Sequence, residues 1–107
     1  MTRTFIQTNE FVCRFKELKL TDDDLRALED DLLHDPEAGD RMVGTGGLRK
    51  YRIPLEGRGK SGGARVCYFD IPNTNRLFLL TVYAKNEKDN LTKDERNKIK
   101  RIVKLLK

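Results

Sequence analysis

Apolar residues along this chain recur first at helical spacing and later in alternation, so the pattern predicts helices followed by a sheet and a final helix. Thr4-Phe5-Ile6-Gln7 is a short β-prone run suited to a sheet edge. Phe11, Phe15 and Leu18 then repeat at helical intervals over residues 10–19, with Asn9 as the expected cap. A second helix is predicted from Thr21, whose hydroxyl can accept a backbone N–H. Asp22, Asp23 and Asp24 place negative charge on the positive end of its dipole, and Leu25, Leu28, Leu32 and Leu33 supply its apolar stripe. The very short turn between the two makes them a helical hairpin.

From Pro36 the character changes, and all eight glycines fall between Gly39 and Gly63. Alternation predicts strands over residues 48–53, 64–71 and 77–83, with Asn73-Thr74-Asn75 as a tight turn between the last two. The run LFLLTVY is apolar on both faces and so reads as a central strand covered on both sides. Thr92-Lys93-Asp94-Glu95 is a capping-box pattern that opens a last helix, whose narrow apolar stripe is Ile99, Ile102, Val103 and Leu106. Lysines and arginines, Arg96 among them, cover the rest of that helix. The fold class is α/β of the α+β type: an N-terminal helical hairpin packed on a small, mostly antiparallel sheet, with a C-terminal helix.

Composition narrows the function. The 107 residues suit a single domain over 1–107 with a modest core. The N-terminus lacks the apolar block and cleavage site of a secretory signal, and no apolar run could span a bilayer, so the expected address is cytoplasmic. Cys13 and Cys67 form no CxxC pattern and are expected as buried thiols rather than a disulfide. Residues 1–40 hold five Lys or Arg against eleven Asp or Glu, a net of −6, whereas residues 41–107 hold seventeen against six, a net of +11. An acidic end and a basic face in one small domain suggest a polyanionic partner such as RNA or DNA.

Several tempting motifs fail on physical grounds. Gly59-Lys60-Ser61 resembles the end of a phosphate-binding P-loop, but the earlier glycine is replaced by Pro54, and Gly62-Gly63 leads into a strand rather than a helix. Three consecutive aspartates on a helix point in different directions and cannot jointly chelate a metal. His34, the single histidine, sits at a helix end, where a partly cationic side chain is favoured on structural grounds. No metal and no cofactor is expected.

The remaining chemistry is that of clustered Arg and Lys on a rigid sheet. RNA carries its own nucleophile, the 2′-hydroxyl. A protein can promote its attack on the adjacent phosphate by positioning it, removing a proton and stabilising the pentavalent charge. Arg58, Lys60, Arg65 and Lys85 meet that need if the sheet brings them together. Strand alternation puts Arg65 on a face with Cys67 and Phe69, opposite Val66 and Tyr68. Tyr68, Tyr83 or Phe69 could stack on a base, or belong to the core.

The segments DPEAGDRMVGTGGLRKYRI, GRGKSGGARVCYF and LFLLTVYAKNEKDNLTKDE, in that order, resemble the RelE/HigB-like toxins of type II toxin–antitoxin modules, and the HigB branch most. The resemblance implies a ribosome-dependent mRNA endoribonuclease (an mRNA interferase that arrests growth by inhibiting translation). It also implies a cognate antitoxin, of the HigA-like helix-turn-helix kind. By position it makes Arg65 the residue that stabilises the transition state, Lys60 or Lys85 the proton-transfer group and Arg58 a phosphate-orienting residue. Arg49, Lys50, Arg52 and Lys88 would extend the RNA- or ribosome-binding surface. Some relatives use a tyrosine near the C-terminus in catalysis, and the last helix here has none. The alternatives are a ParE-like, gyrase-inhibiting toxin of the same fold and a non-catalytic nucleic-acid-binding module.

Overall fold

The computed structural model describes residues 2–55, 63–85 and 91–106. Its elements, in chain order, are β1 (Thr4–Gln7), α1 (Asn9–Glu17), α2 (Asp22–His34), β2 (Asp40–Arg41), β3 (Arg49–Ile53), β4 (Ala64–Ile71), β5 (Arg76–Ala84) and α3 (Lys93–Leu106). The five strands form one sheet in the order β1-β5-β4-β3-β2. β1 runs parallel to β5 and every other pair is antiparallel.

Each face of the sheet has its own core. On one face Phe11 and Phe15 of α1, its C-cap Leu18, and Leu28 and Leu32 of α2 pack on Ile53, Val66, Tyr68, Leu77, Leu79 and Val82. On the other, Leu91 with Ile99 and Val103 of α3 packs on Leu48, Cys67, Phe69, Leu80 and Tyr83. The expected two-sided burial of LFLLTVY follows from this sandwiching, since β5 lies inside the sheet with a helical layer on each side. Its alternation is broken once: Cys67 pairs with Thr81 but Tyr68 pairs with Leu79, so Leu80 is the extra residue of a bulge.

That bulge is held from α1. β1 pairs only with residues 76–79, and beyond it the open edge of β5 is covered by side chains. The Thr8 N–H donates to the Leu79 carbonyl at 3.1 Å, its hydroxyl to the Leu80 carbonyl at 2.7 Å, and Arg14 Nε to the Val82 carbonyl at 3.2 Å. The Thr8 hydroxyl also accepts from the Phe11 N–H at 3.0 Å, so Thr8 caps α1 rather than Asn9. One hydroxyl can serve both bonds because it donates and accepts at once.

The two other helix starts match their sequence signals. Thr21 and Asp24 form a reciprocal capping box on α2, and Thr92 and Glu95 another on α3, at 2.9 and 3.1 Å. The turn between β4 and β5 is a short 3-10 helix, Pro72–Thr74, ended by Asn75 in the left-handed region at φ 56. The two-residue β2 has no sequence signal. It pairs Asp40 with Lys50 because Gly39 lets the chain pass close to the sheet: a Cβ there would stand 2.7 Å from the Tyr68 ring and 2.9 Å from the Lys50 carbonyl. Tyr68 locks this crossing, accepting from the Gly39 N–H at 2.9 Å and donating to the Pro36 carbonyl at 2.7 Å. Cys67 is buried as expected but Cys13, on the outer side of α1, is exposed, and both are free thiols. Among the described residues no helix is long and apolar enough to cross a membrane.

Candidate RNA-binding cleft

Register decides which basic residues meet. Arg52 is directly opposite Arg65, which is directly opposite Tyr83, and in the next row Lys50, Cys67 and Thr81 are aligned. Directly opposed residues share a face, so Lys50, Arg52 and Arg65 all stand on the face that α3 covers elsewhere. Together with Asp40 they line a cleft of about 340 Å³. Lys85 follows β5, its N–H donating to the Gly63 carbonyl at 3.0 Å. Continued alternation puts it on the same face, diagonal to Arg65.

Like charges directly opposed across an antiparallel pair repel, and Arg52–Arg65 is such a pair. Among the described residues neither guanidinium has a carboxylate within 4.0 Å. The hydrogen bond recorded for Arg65 is a long 3.5 Å contact from Nη1 to the Ala64 carbonyl. Arg65 is half-buried and Arg52 exposed, and a pair of cations without a bonded acid, in a concave setting, is an arrangement that suits an anion.

Arg49 lies elsewhere. It pairs with Tyr68 on the opposite face, and its Nη1 donates to the Gly39 carbonyl at 2.8 Å and the Glu37 carbonyl at 3.3 Å. Its role in the structure is to clamp the crossing into β2, away from the cleft. Arg58, Lys60 and Lys88 fall outside the described residues. The three aromatic residues open to base stacking on sequence grounds are all core: Tyr68 is 0%, Tyr83 1% and Phe69 5% exposed.

Tyr83 nevertheless marks the electrostatic centre of this corner. Burial pushes its phenol up to about 12, the nearby Cys67 and Glu95 add to the rise, and Arg65 and Arg96 oppose it. Arg96, one of the basic residues of α3, is half-buried, and its charge acts on the phenol. Because the folded value exceeds the unfolded value of 10, Tyr83 favours the folded state below that pH and loses this contribution as pH rises toward 12. The loss is on the order of 2–3 kcal/mol. Unfolding free energies measured across that window should fall, and should fall less steeply in Tyr83→Phe; an equal decline in both proteins would contradict the assignment.

A second cavity, of about 320 Å³, lies between the start of α1, the Leu80 bulge and α3. Leu80, Leu91, Ile99 and Ile102 give it mainly aliphatic walls, whereas Lys50, Arg52 and Arg65 line the first cleft.

Two solved structures from E. coli share this fold. Free RelE toxin carrying a pair of arginine-to-alanine substitutions superposes with a TM-score of 0.52 at 18% identity, covering 77% of this chain and 82% of that one. The intact RelBE toxin–antitoxin complex matches with a TM-score of 0.54 at 18% identity, covering 76% of this chain and 94% of that one. Residues 2–107 match the family described as the RelE toxin of the RelE/RelB toxin–antitoxin system. The match runs through both helical layers and all five strands, and the chain belongs to the RelE toxin family of toxin–antitoxin systems.

Proposed function

We propose that this chain is a single-domain, HigB-branch toxin that acts in the cytoplasm as a ribosome-dependent mRNA endoribonuclease, without metal or cofactor. The observation that carries the reading is the opposed pair Arg52–Arg65 in a cleft with Lys50. In the reaction, a base takes the proton of a 2′-hydroxyl, the 2′-oxygen bonds to the adjacent phosphorus, and the bond to the 5′-oxygen breaks. The leaving oxygen is then protonated and a cyclic phosphate remains. Arg65 stabilises the pentavalent charge through its planar fork of donors. Lys60 or Lys85 moves the proton. Arg58 orients the phosphate, while Lys50, Arg52 and Lys88 track the message and ribosomal RNA. Arg49 contributes to that surface indirectly, through the loop it clamps.

A HigA-like helix-turn-helix antitoxin neutralises the toxin. Support for an antitoxin comes from family membership and from the fold shared with the toxin of a toxin–antitoxin complex. The test is induced expression with and without the neighbouring open reading frame, with mapping of mRNA ends. Arrest relieved by the neighbour and cuts in frame within translated messages are expected. Arrest with intact messages would overturn the nuclease reading and point to the gyrase-inhibiting or passive-binding alternative.

A further inference from the structure

One acid stands among the cations of the cleft, and the clamp on β2 ends at it. Gly39, the residue before Asp40, is held through its N–H by the Tyr68 hydroxyl at 2.9 Å and through its carbonyl by Arg49 at 2.8 Å. On the far side of Asp40 the Met42 N–H donates to the Leu48 carbonyl at 2.9 Å. The backbone that bears Asp40 is thus fixed from both sides, as a recognition residue requires.

Asp40 is directly opposite Lys50, so its side chain stands on the face of Lys50, Arg52 and Arg65, with which it lines the cleft. It is exposed, and among the described residues its carboxylate forms no ion pair within 4.0 Å. In a cleft meant for phosphate alone an acid is a liability, because it weakens the positive potential of the cations around it. A carboxylate has a use beside RNA only toward groups that donate, and those are the 2′-hydroxyls and the N–H groups of the bases. Its two oxygens match two adjacent N–H groups. Guanine presents such a pair on its Watson–Crick edge, N1–H beside the N2 amino group, whereas adenine and cytosine offer a donor beside an acceptor and uracil one N–H between two carbonyls.

We propose that Asp40 is the base-reading residue of the cleft and that it selects an unpaired guanine, accepting from N1–H and the N2 amino group while Arg52 and Arg65 face the phosphate. Two strand spacings, about 10 Å, separate β2 from β4. That is the order of the distance from a nucleotide's phosphate to the outer edge of its base, so one nucleotide can meet both ends of the cleft. This inference rests on the nuclease reading above and adds to it a choice of sequence.

The test is cleavage by the full chain on ribosomes whose empty decoding site holds messages differing in one base, guanine, inosine, adenine or uracil, at each codon position in turn. Inosine is guanine without the N2 amino group, so it removes one of the two donors. At one position the wild type should cut the guanine message about 10–100-fold faster than the inosine message, the usual contribution of a hydrogen bond to a charged acceptor. Asp40→Asn should turn the preference toward adenine, because an amide offers one donor and one acceptor to adenine's matching pair. If the asparagine variant does not fold, Asp40→Ala should bring guanine and inosine to the same rate. Equal rates for guanine and inosine in the wild type, or a guanine preference kept in the variants, overturn the proposal. So does a variant that loses cleavage uniformly for every base, which is the mark of a proton-transfer group. A wild type that cuts none of the messages overturns the nuclease reading itself, an outcome distinct from failure of the Asp40 contact alone.

Discussion

Arg65→Ala is expected to leave the protein folded and to slow cleavage of translated message by about 10²–10³-fold, the usual cost of losing one preorganised donor at a developing negative charge. Little in the fold depends on this side chain. Its recorded hydrogen bond is a 3.5 Å contact to its neighbour's carbonyl, and it opposes another arginine. Removing it relieves that repulsion, so the melting temperature should hold or rise. Single-turnover cleavage on purified ribosomes, read beside a thermal melt and antitoxin binding, separates the chemistry from the scaffold. Arg65→Lys should recover only part of the rate, because an ammonium lacks the planar fork. Lys85→Ala should lose activity as well, with the same stability. Full activity in both alanine variants would sink the site.

Phe11→Ala should have the largest effect on stability, about 3–5 kcal/mol. Domains of this kind have only about 5–15 kcal/mol in total. Phe11 is 0% exposed, and its ring stacks on Phe15 with centroids 5.3 Å apart. It also lies in the first turn of the helix whose cap and Arg14 cover the open edge of β5, so a cavity beneath it loosens both the core and that edge. The denaturant midpoint should drop with little change in slope. A loss below about 1 kcal/mol would mean that α1 is not packed on the sheet as described.

Much of this architecture can be read from the chain because each apolar pattern faces one layer. The aromatic spacing of α1, the leucines of α2 and the two-sided run of β5 state their partners directly. Alternation also separates Arg65 from Tyr68 correctly, and the structure puts Arg65 beside Lys50 and Arg52. The same alternation would have parted Arg49 from Arg52, which are three residues apart on one strand and so face opposite ways. Residues grouped by charge alone hid this. Other features depend on contacts distant in sequence. The bulge at Leu80 is fixed by Thr8, β2 exists through Gly39 and Tyr68, and the parallel pairing of β1 has no local signature.

The pairing of β1 with β5 has a consequence for how the molecule is born. Thr4 meets Arg76, a partner 72 positions later, and Arg3 grips Asp70 through Nε–Oδ1 at 2.8 Å and Nη2–Oδ2 at 3.2 Å. A chain made at about 5–20 residues per second must therefore wait roughly 4–14 s between making the first strand and making its partner. Through that interval the apolar sides of α1 and α2 have no β5 to cover them. Closing so long a loop is also the slow kind of contact formation. The newborn chain is thus adhesive until β5 has been made.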